Sequence, residues 1–327
     1  MQITQNCIIN GMPEDVYHGD PTPELEGFKD CTSLSSSTLS DLVEMTEIEA
    51  RMGINKLNPK KEREQTDASN LGNIAHDFIL LGGESKFEVA AVDAWRSKEA
   101  KELKADIISR GKIPLNLSTQ SILEDVNKMK TALHEQIAEH KEYSEIMQKG
   151  MAEQSGFAFD GTIWNRARFD WLDHTSKYEN LIVDYKTTGI DFANWEKNEL
   201  WKTKFYQEHH YKRVLDMIRH PDSAPARFIY VVQQVKEPYL MRIYEIDRSY
   251  EEDVAERYMR GRARFINCIK TGVWRGESPY TTHSCPPPWI LSKWELDKAI
   301  HDETVQREKD EASMAQPTQE PEYIMAG

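Results

Sequence analysis

Cysteine is scarce in this chain of 327 residues. There are four, and none of Cys7, Cys31, Cys268 and Cys285 stands in a CxxC pair. That spacing argues against a zinc ribbon, an iron–sulfur cluster and a disulfide framework, and leaves four reduced thiols. Long apolar runs are missing too: none approaches the roughly 18 to 20 residues that a membrane span requires. The opening MQITQNCIINGMPEDVYHGD has no basic stretch leading into an apolar one, so no secretory signal is expected and the protein is expected to be cytoplasmic. No GxxxxGK[ST] loop is present, so ATP is not an expected cofactor. Positive charge is in deficit, with 41 Lys and Arg against 55 Asp and Glu and a net charge of -14. This speaks against a bulk electrostatic grip on nucleic acid and leaves room only for a local basic channel. Part of the acid is segregated: residues 292 to 327 carry nine Asp/Glu against four Lys/Arg.

What is present reads as a folded chain with a core, 39% hydrophobic and 29% charged. Residues 1 to 30, rich in Pro, Gly and acid, read as an irregular arm. SLSSSTLSDLVEMTEIEARMG then offers a hydroxyl-rich cap, a helix with Leu39, Leu42 and Val43 on one stripe, and a stop at Gly53. After the charged loop NPKKEREQTD, the residues Leu71, Ile74, Ala75, Phe78 and Ile79 recur at i, i+3, i+4, i+7 and i+8, which predicts a helix ended by Gly82-Gly83. His76 lies off the centre of that stripe, one turn after Gly72. Further helices are predicted over Ala94 to Arg110 and Ser118 to Met147, so residues 31 to 150 form a helical region. From Glu153 the period changes to two. GFAFDGTIWNRARFDWL reads as a hairpin turning at Asp160-Gly161, and NLIVDYKTT as the next strand. A helical stretch follows to about His220, broken near Lys202, then two strands, ARFIYVVQQV and LMRIYEID, and a helix from Ser249 to about Lys270. Residues 151 to 290 thus make an α/β (α+β) core, and 291 to 327 an acidic tail expected to be disordered.

Within LIVDYKTT, alternate residues share a face, so Ile182, Asp184 and Lys186 stand on one side and Val183 and Tyr185 on the other. Alone, such a strand-end Asp-x-Lys is ordinarily a solvated charge pair. Here it has company. Asp170 lies on the preceding strand, Glu153 on the one before, and Gln207 and Tyr211, four apart, face the same way from the following helix. The segments GNIAHDFIL, AEQSG, ARFDWL, IVDYKTT and YQEHHY together resemble the PD-(D/E)xK nuclease superfamily. Within it they resemble the RecB-like branch and the phage exodeoxyribonuclease VIII (RecE-like) exonucleases, with SLSSSTLSDL similar to their opening helix. The resemblance spans roughly residues 30 to 275 and implies a central mixed β-sheet flanked by helices.

The chemistry of phosphodiester hydrolysis agrees with the set. The reaction needs an activated water, neutralisation of charge on phosphorus and stabilisation of a leaving alkoxide, all of which divalent cations supply. Hard Mg²⁺, or Mn²⁺ in its place, takes oxygen ligands and keeps several waters, so two or three carboxylates suffice. Glu153, Asp170 and Asp184 are the expected ligands, and the resemblance adds the Tyr185 carbonyl and His76. Lys186 would orient and help deprotonate the attacking water while adding charge beside the phosphate. Catalysis is thus expected from Asp170, Asp184 and Lys186, and the resemblance implies a part for Gln207, which with Tyr211 would hold the active-site lysine region and the phosphate backbone. DNA contact is expected from Arg166, Arg168, Gln207, Tyr211, Lys204 and Lys212, with Lys202 and Arg213 as further candidates. HEQIAEH is set aside, because its histidines are six apart, whereas a zinc protease needs four. His209 and His210 diverge by about 100° on a helix and make a weak joint metal site.

By resemblance, then, the expectation is a Mg²⁺-dependent double-strand exonuclease working 5′ to 3′ on DNA ends. It would act as a toroidal homo-oligomer serving phage or prophage recombination beside a RecT-like single-strand annealing protein. The alternatives are a structure-specific endonuclease or repair nuclease on the same core, and a non-catalytic DNA-end-binding module.

Overall fold

Two ten-residue strands, β4 (Gly150–Phe159) and β5 (Trp164–Asp173), anchor the fold. The turn at Asp160 joins them, with its carboxylate accepting the Thr162 and Ile163 amides and Gly161 supplying φ +87°. The computed structural model describes residues 2–59, 67–81, 87–119, 121–173, 177–277 and 284–314. In chain order the other elements are β1 (Cys7–Ile9), α1 (Glu14–His18), α2 (Ser36–Glu44), α3 (Glu47–Gly53), α4 (Asp67–Leu80), β2 (Phe87–Ala90), α5 (Lys98–Ser109), β3 (Ile113–Asn116) and α6 (Ser121–Glu139). After the β4–β5 hairpin come β6 (Leu181–Thr188), α7 (Phe192–Trp195), a π-helix (Glu196–Lys204), α8 (Phe205–Ile218), β7 (Arg227–Gln234), β8 (Met241–Tyr244), α9 (Glu251–Thr271) and α10 (Pro288–Met314).

Six strands form one mixed sheet in the order β1-β4-β5-β6-β7-β8, parallel only between β6 and β7. One face carries Val183, Tyr185, Ile229 and Val231 and is covered by Ile74, Ala75 and Ile79 of α4 and Val126, Met129 and Leu133 of α6. The other carries Ala167, Phe169, Ile182, Tyr230 and Val232 and is covered by Tyr211, Val214 and Leu215 of α8. The α/β architecture with helices on both faces is therefore as expected. A third cluster joins α2, α3, α8 and α9 through Leu39, Leu42, Tyr206, Tyr258 and Phe265. The chain divides into two compact units, residues 1–276 and 277–327.

Several elements differ from the sequence expectation, and each has a local reason. Residues 2 to 30 are not an irregular arm: β1 pairs with β4, and Ile3, Met12 and Tyr17 are buried against Phe157 and Trp164. The helix expected to run to Gly53 is two, because Thr46 and Glu49 form a reciprocal capping box that restarts it. The helical region contains a small parallel sheet of β2 and β3, four residues each. These are too short for a period of two to register, and Pro114 reads as a strand breaker. Part of the expected disordered tail is helical. Pro288 opens α10 at the position where its missing N–H is harmless, and Arg307–Glu311 and Gln306–Asp310 pair four residues apart. Gly82-Gly83, most of the loop at 59 to 66 and residues 315–327 lie outside the described residues.

The arm is fastened by one buried aspartate. Asp20, 4% exposed, accepts hydrogen bonds from Thr22, Thr32 and Ser33 and faces the Arg166 guanidinium at 3.6 Å. Burial opposes its charge, but Arg166 and these donors hold the carboxyl below its ordinary range. Its contribution to stability is therefore complete above about pH 4 and lost as pH falls through the lower folded value. Asp20→Ala, which leaves Arg166 buried without its counter-ion, is expected to lower unfolding free energy by about 3–5 kcal/mol in urea titration. A loss below about 1 kcal/mol would show that the arm is held by its apolar contacts alone.

Candidate active site

Strands β5 and β6 pair at only two positions, Trp171 with Val183 and Leu172 with Ile182. Asp170 and Asp184 are the next pair in that register, and there the ladder has ended. The Tyr185 N–H, left without a backbone partner on this side, donates to Asp170 Oδ2 at 3.0 Å. The chain is irregular at the same level of β4: Glu153, opposite Asp170, has φ +54° and makes no ladder pair. Phe169 packs with the α8 face, yet Trp171 packs with the α4 and α6 face, so the alternation of β5 reverses around Asp170. This reversal lets one carboxylate reach groups on both faces of the sheet.

Asp170 Oδ1 lies 3.1 Å from His76 Nε2, and its Oδ2 lies 3.7 Å from Lys186 Nζ. Lys186 also contacts Asp184 Oδ1, and Gln207 Nε2 donates to Asp184 Oδ2 at 2.6 Å. His76 Nδ1 faces Glu153 Oε1 at 3.2 Å, and Glu153 is bound in turn by Arg168 Nε. Gly72 permits the approach that delivers His76: a Cβ there would stand 3.2 Å from Thr187 Oγ1 of β6. The expected residues His76, Glu153, Asp170, Asp184, Lys186 and Gln207 thus meet in one place.

Burial and charge divide the two aspartates. Burial works against the Asp170 charge, but Lys186 and His76 overrule it and hold the carboxyl well below the usual range. Asp184 is 0% exposed, and burial followed by the Asp170 charge pushes it up to about 6 in spite of Lys186. Burial disfavours the Lys186 ammonium, yet Asp184 and Asp170 keep it above its ordinary value. His76 is raised likewise, burial being outweighed by Asp170 and Glu153. Lys204, close enough to lower Asp184, is itself depressed by burial and by Lys186.

A cavity of about 300 Å³ is lined by Asp170, Lys186, Gln207, Tyr211, Arg166 and Arg168 together with Tyr17, His18 and the run Ser35 to Thr38 at the start of α2. The candidate DNA contacts separate here. Arg168, Gln207 and Tyr211 line the cavity. Arg166 does too, but it is 4% exposed and tied to Asp20 and the Tyr17 carbonyl. Lys212 is elsewhere, paired with Glu208 and Glu251 in a separate small pocket, and Arg213 faces Asp160. His210 is buried between the Tyr258 hydroxyl and the Arg166 carbonyl, and burial lowers it to about 4, so it is a neutral strut. Sequence reasoning missed Tyr17 and Asp20, for which no local signal exists, and took Ser35 to Thr38 only as a helix cap.

Among the described residues, no three His, Cys, Asp or Glu side chains by themselves form a metal cage. Two carboxylates beside a main-chain carbonyl nevertheless suit a hard cation that retains most of its waters. Asp184, buried and held up to about 6 beside a second carboxylate, is a group whose ionisation a divalent cation would favour. The Asp170, Asp184 and Tyr185 donors therefore fit the metal. Glu153 and His76 are engaged with each other and with Arg168 and Asp170.

A mixed sheet whose splayed strands present Asp170 and, two residues apart, Asp184 and Lys186 defines a nuclease of the PD-(D/E)xK class. The model of a PDDEXK-like domain of unknown function (DUF3799) matches residues 35–281, and the chain belongs to that family. Enzymes with this core generally use divalent metals. No curated protein matches the chain. Among solved structures, a "putative exonuclease" from Eubacterium rectale is similar at 13% identity over 79% of this chain and 91% of that one, with a TM-score of 0.49. The protein SSO0001 is similar at 16% identity over 59% of this chain and 85% of that one, with a TM-score of 0.24. Both likenesses are distant, and the assignment rests on the family match. No described helix is long and apolar enough to cross a membrane.

Proposed function

We propose that the protein is a Mg²⁺-dependent exonuclease that degrades one strand of linear duplex DNA, 5′ to 3′, leaving the other for strand annealing in phage or prophage recombination. The observation that carries the hydrolytic reading is that Lys186 contacts both Asp170 and the buried Asp184, where Asp170 and Lys186 themselves line the cavity. The polarity, the annealing partner of RecT-like type and a toroidal homo-oligomer follow from the RecE-like resemblance. A divalent cation held by Asp170, Asp184 and the Tyr185 carbonyl would supply Lewis acidity toward the phosphate and ease deprotonation of the attacking water. The chain's own groups do the rest. Lys186 presents an ammonium at the cavity wall, where it adds positive charge beside the scissile phosphate. Gln207 fixes the rotamer of Asp184, and His76 that of Asp170. Arg168 adds charge, and Ser35 to Thr38 place the positive end of the α2 dipole on the cavity lining, which favours a bound phosphate.

The test is incubation with Mg²⁺ of a linear duplex labelled separately at each 5′ and 3′ end, beside a covalently closed circle. Consumption of the linear DNA from its 5′ ends with the circle intact is expected. Cutting of the circle would favour the endonuclease reading, and an untouched linear duplex would sink catalysis.

Asp184 sets a pH dependence. Metal binding needs its carboxylate, whose folded pKa is about 6, so protons compete below that value. The Mg²⁺ concentration for half-maximal rate is expected to rise about tenfold per pH unit below 6 and to flatten above 7. A half-maximal Mg²⁺ concentration constant from pH 5 to 8 would contradict this placement.

A further inference from the structure

The catalytic cavity leaves a second opening unexplained. The π-helix, the end of α2 and the start of α9 enclose a groove of about 650 Å³. Two aromatic rings stand in it. Trp201 is 39% exposed and Tyr250 50%, their centroids 5.4 Å apart and their planes at 67°, and Trp201 is backed by Phe205 at 6.1 Å. Among the described residues of the first unit, Trp201 is the one exposed tryptophan, whereas Trp164 and Trp195 are 5% and 3% exposed. Lys197, Lys202 and Arg257 flank the rings. Neither lysine has an ion-pair partner among the described residues. The groove's acids are Glu44, which accepts from the Tyr206 hydroxyl at 3.2 Å, and Asp253.

A rigid aromatic step with unpaired ammonium groups beside it is the arrangement that binds unpaired nucleobases, since a ring can stack on any base while cations follow the phosphates. Bases inside a duplex have no free face to offer, so the arrangement selects single strands. The placement fits as well. The nine-residue π-helix, with Lys197, Trp201 and Lys202 on the groove wall, continues directly into α8, whose Phe205 lines the groove and whose Gln207 lines the catalytic cavity. One continuous helical run therefore joins the groove to the catalytic cavity, and π-helical segments are often found where function requires the extra residue.

We propose that this groove is a stacking site for single-stranded DNA, holding unpaired bases of the strand that lies next to the scissile bond. The proposal rests on the nuclease reading for its biological use, but its binding test needs no hydrolysis. The full chain is titrated, in EDTA, with a fluorescently labelled 20-residue oligothymidine and with a blunt duplex of equal length, following anisotropy.

Trp201→Ala is expected to weaken oligothymidine binding by roughly 5- to 150-fold, with Trp201→Phe restoring most of it and duplex binding within about twofold of wild type. A thermal melt checks that the fold is kept. Should Trp201→Ala unfold, the exposed pair Lys197→Ala/Lys202→Ala serves instead, and it is expected to reduce oligothymidine affinity and the steepness of its salt dependence. Unchanged oligothymidine affinity in the folded variants overturns the proposal. Equal losses for both DNAs would overturn it too, by showing a general backbone contact. A change of oligomeric state with DNA binding intact would make the groove a contact between copies and equally overturn it. A wild type that binds oligothymidine through Trp201 but never cuts linear duplex with Mg²⁺ would sink the nuclease reading alone.

Discussion

Lys186→Ala is expected to slow hydrolysis of linear duplex DNA by about 10²- to 10⁴-fold while the protein stays folded and still binds DNA. The reason lies in what the ammonium does where it sits. Its side chain is 27% exposed, between Asp170 and the wholly buried Asp184, and it is the cation of that carboxylate pair at the cavity wall. Removing it takes away the positive charge beside the scissile phosphate and the ammonium donor that would orient the attacking water. It also leaves two carboxylates facing each other, so Asp184, already at about 6, moves further up and gives its proton less readily to solvent at neutral pH. Extra Mg²⁺ should recover part of the binding defect and none of the chemical one. Lys186→Arg is not expected to rescue, because a planar guanidinium fork cannot take the place of a compact ammonium set between Asp170 and the buried Asp184. Single-turnover rates at saturating Mg²⁺ check this, and a Lys186→Ala rate within threefold of wild type would remove Lys186 from the mechanism.

Asp184→Asn is expected to abolish activity at millimolar Mg²⁺ and yet not to lower the melting temperature at pH 7. The two effects have opposite signs because one charge causes both. Asp184 is 0% exposed, and its carboxyl is raised to about 6 from an ordinary 3.8. Its ionised form is thus disfavoured in the fold, and the penalty grows between about pH 4 and 6 and is fully present above. An asparagine of the same shape keeps an oxygen for the Gln207 amide, whose bond to Asp184 is 2.6 Å, while it removes the buried charge and a hard metal ligand together. Melting curves and a Mg²⁺ titration of rate separate the contributions. If Asp184→Asn melts several degrees lower, the aspartate serves the fold, as the counter-ion of Lys186, before it serves the reaction.

Much of this site was legible because its parts are local patterns. Asp184 and Lys186 share a face by strand alternation, Gln207 and Tyr211 by helical spacing, and His76 follows Gly72 by one turn. The hairpin at Asp160-Gly161 and both buried sheet faces follow from turn chemistry and period. What stayed hidden are contacts without local periodicity. Arg166 reads as a free cation on a strand, but its partner Asp20 is 146 residues away, in a segment whose composition suggests no structure. Lys212 carries the same charge as Lys204, yet besides Glu208 one turn back on its own helix it meets Glu251, a contact that only the packing of α8 on α9 determines.

The sequence by itself determined which residues could do the chemistry, because residue type and a spacing of two or four fix what one strand or helix presents on one face. Only the tertiary structure decided that they meet in one site. The splaying of β5 from β6 at Asp170 and Asp184, the reversal of strand alternation at Glu153 and Asp170, and the approach of α4 at Gly72 bring the groups of five separate segments together. Each of these depends on how whole layers pack, so none leaves a trace in the local order of residues.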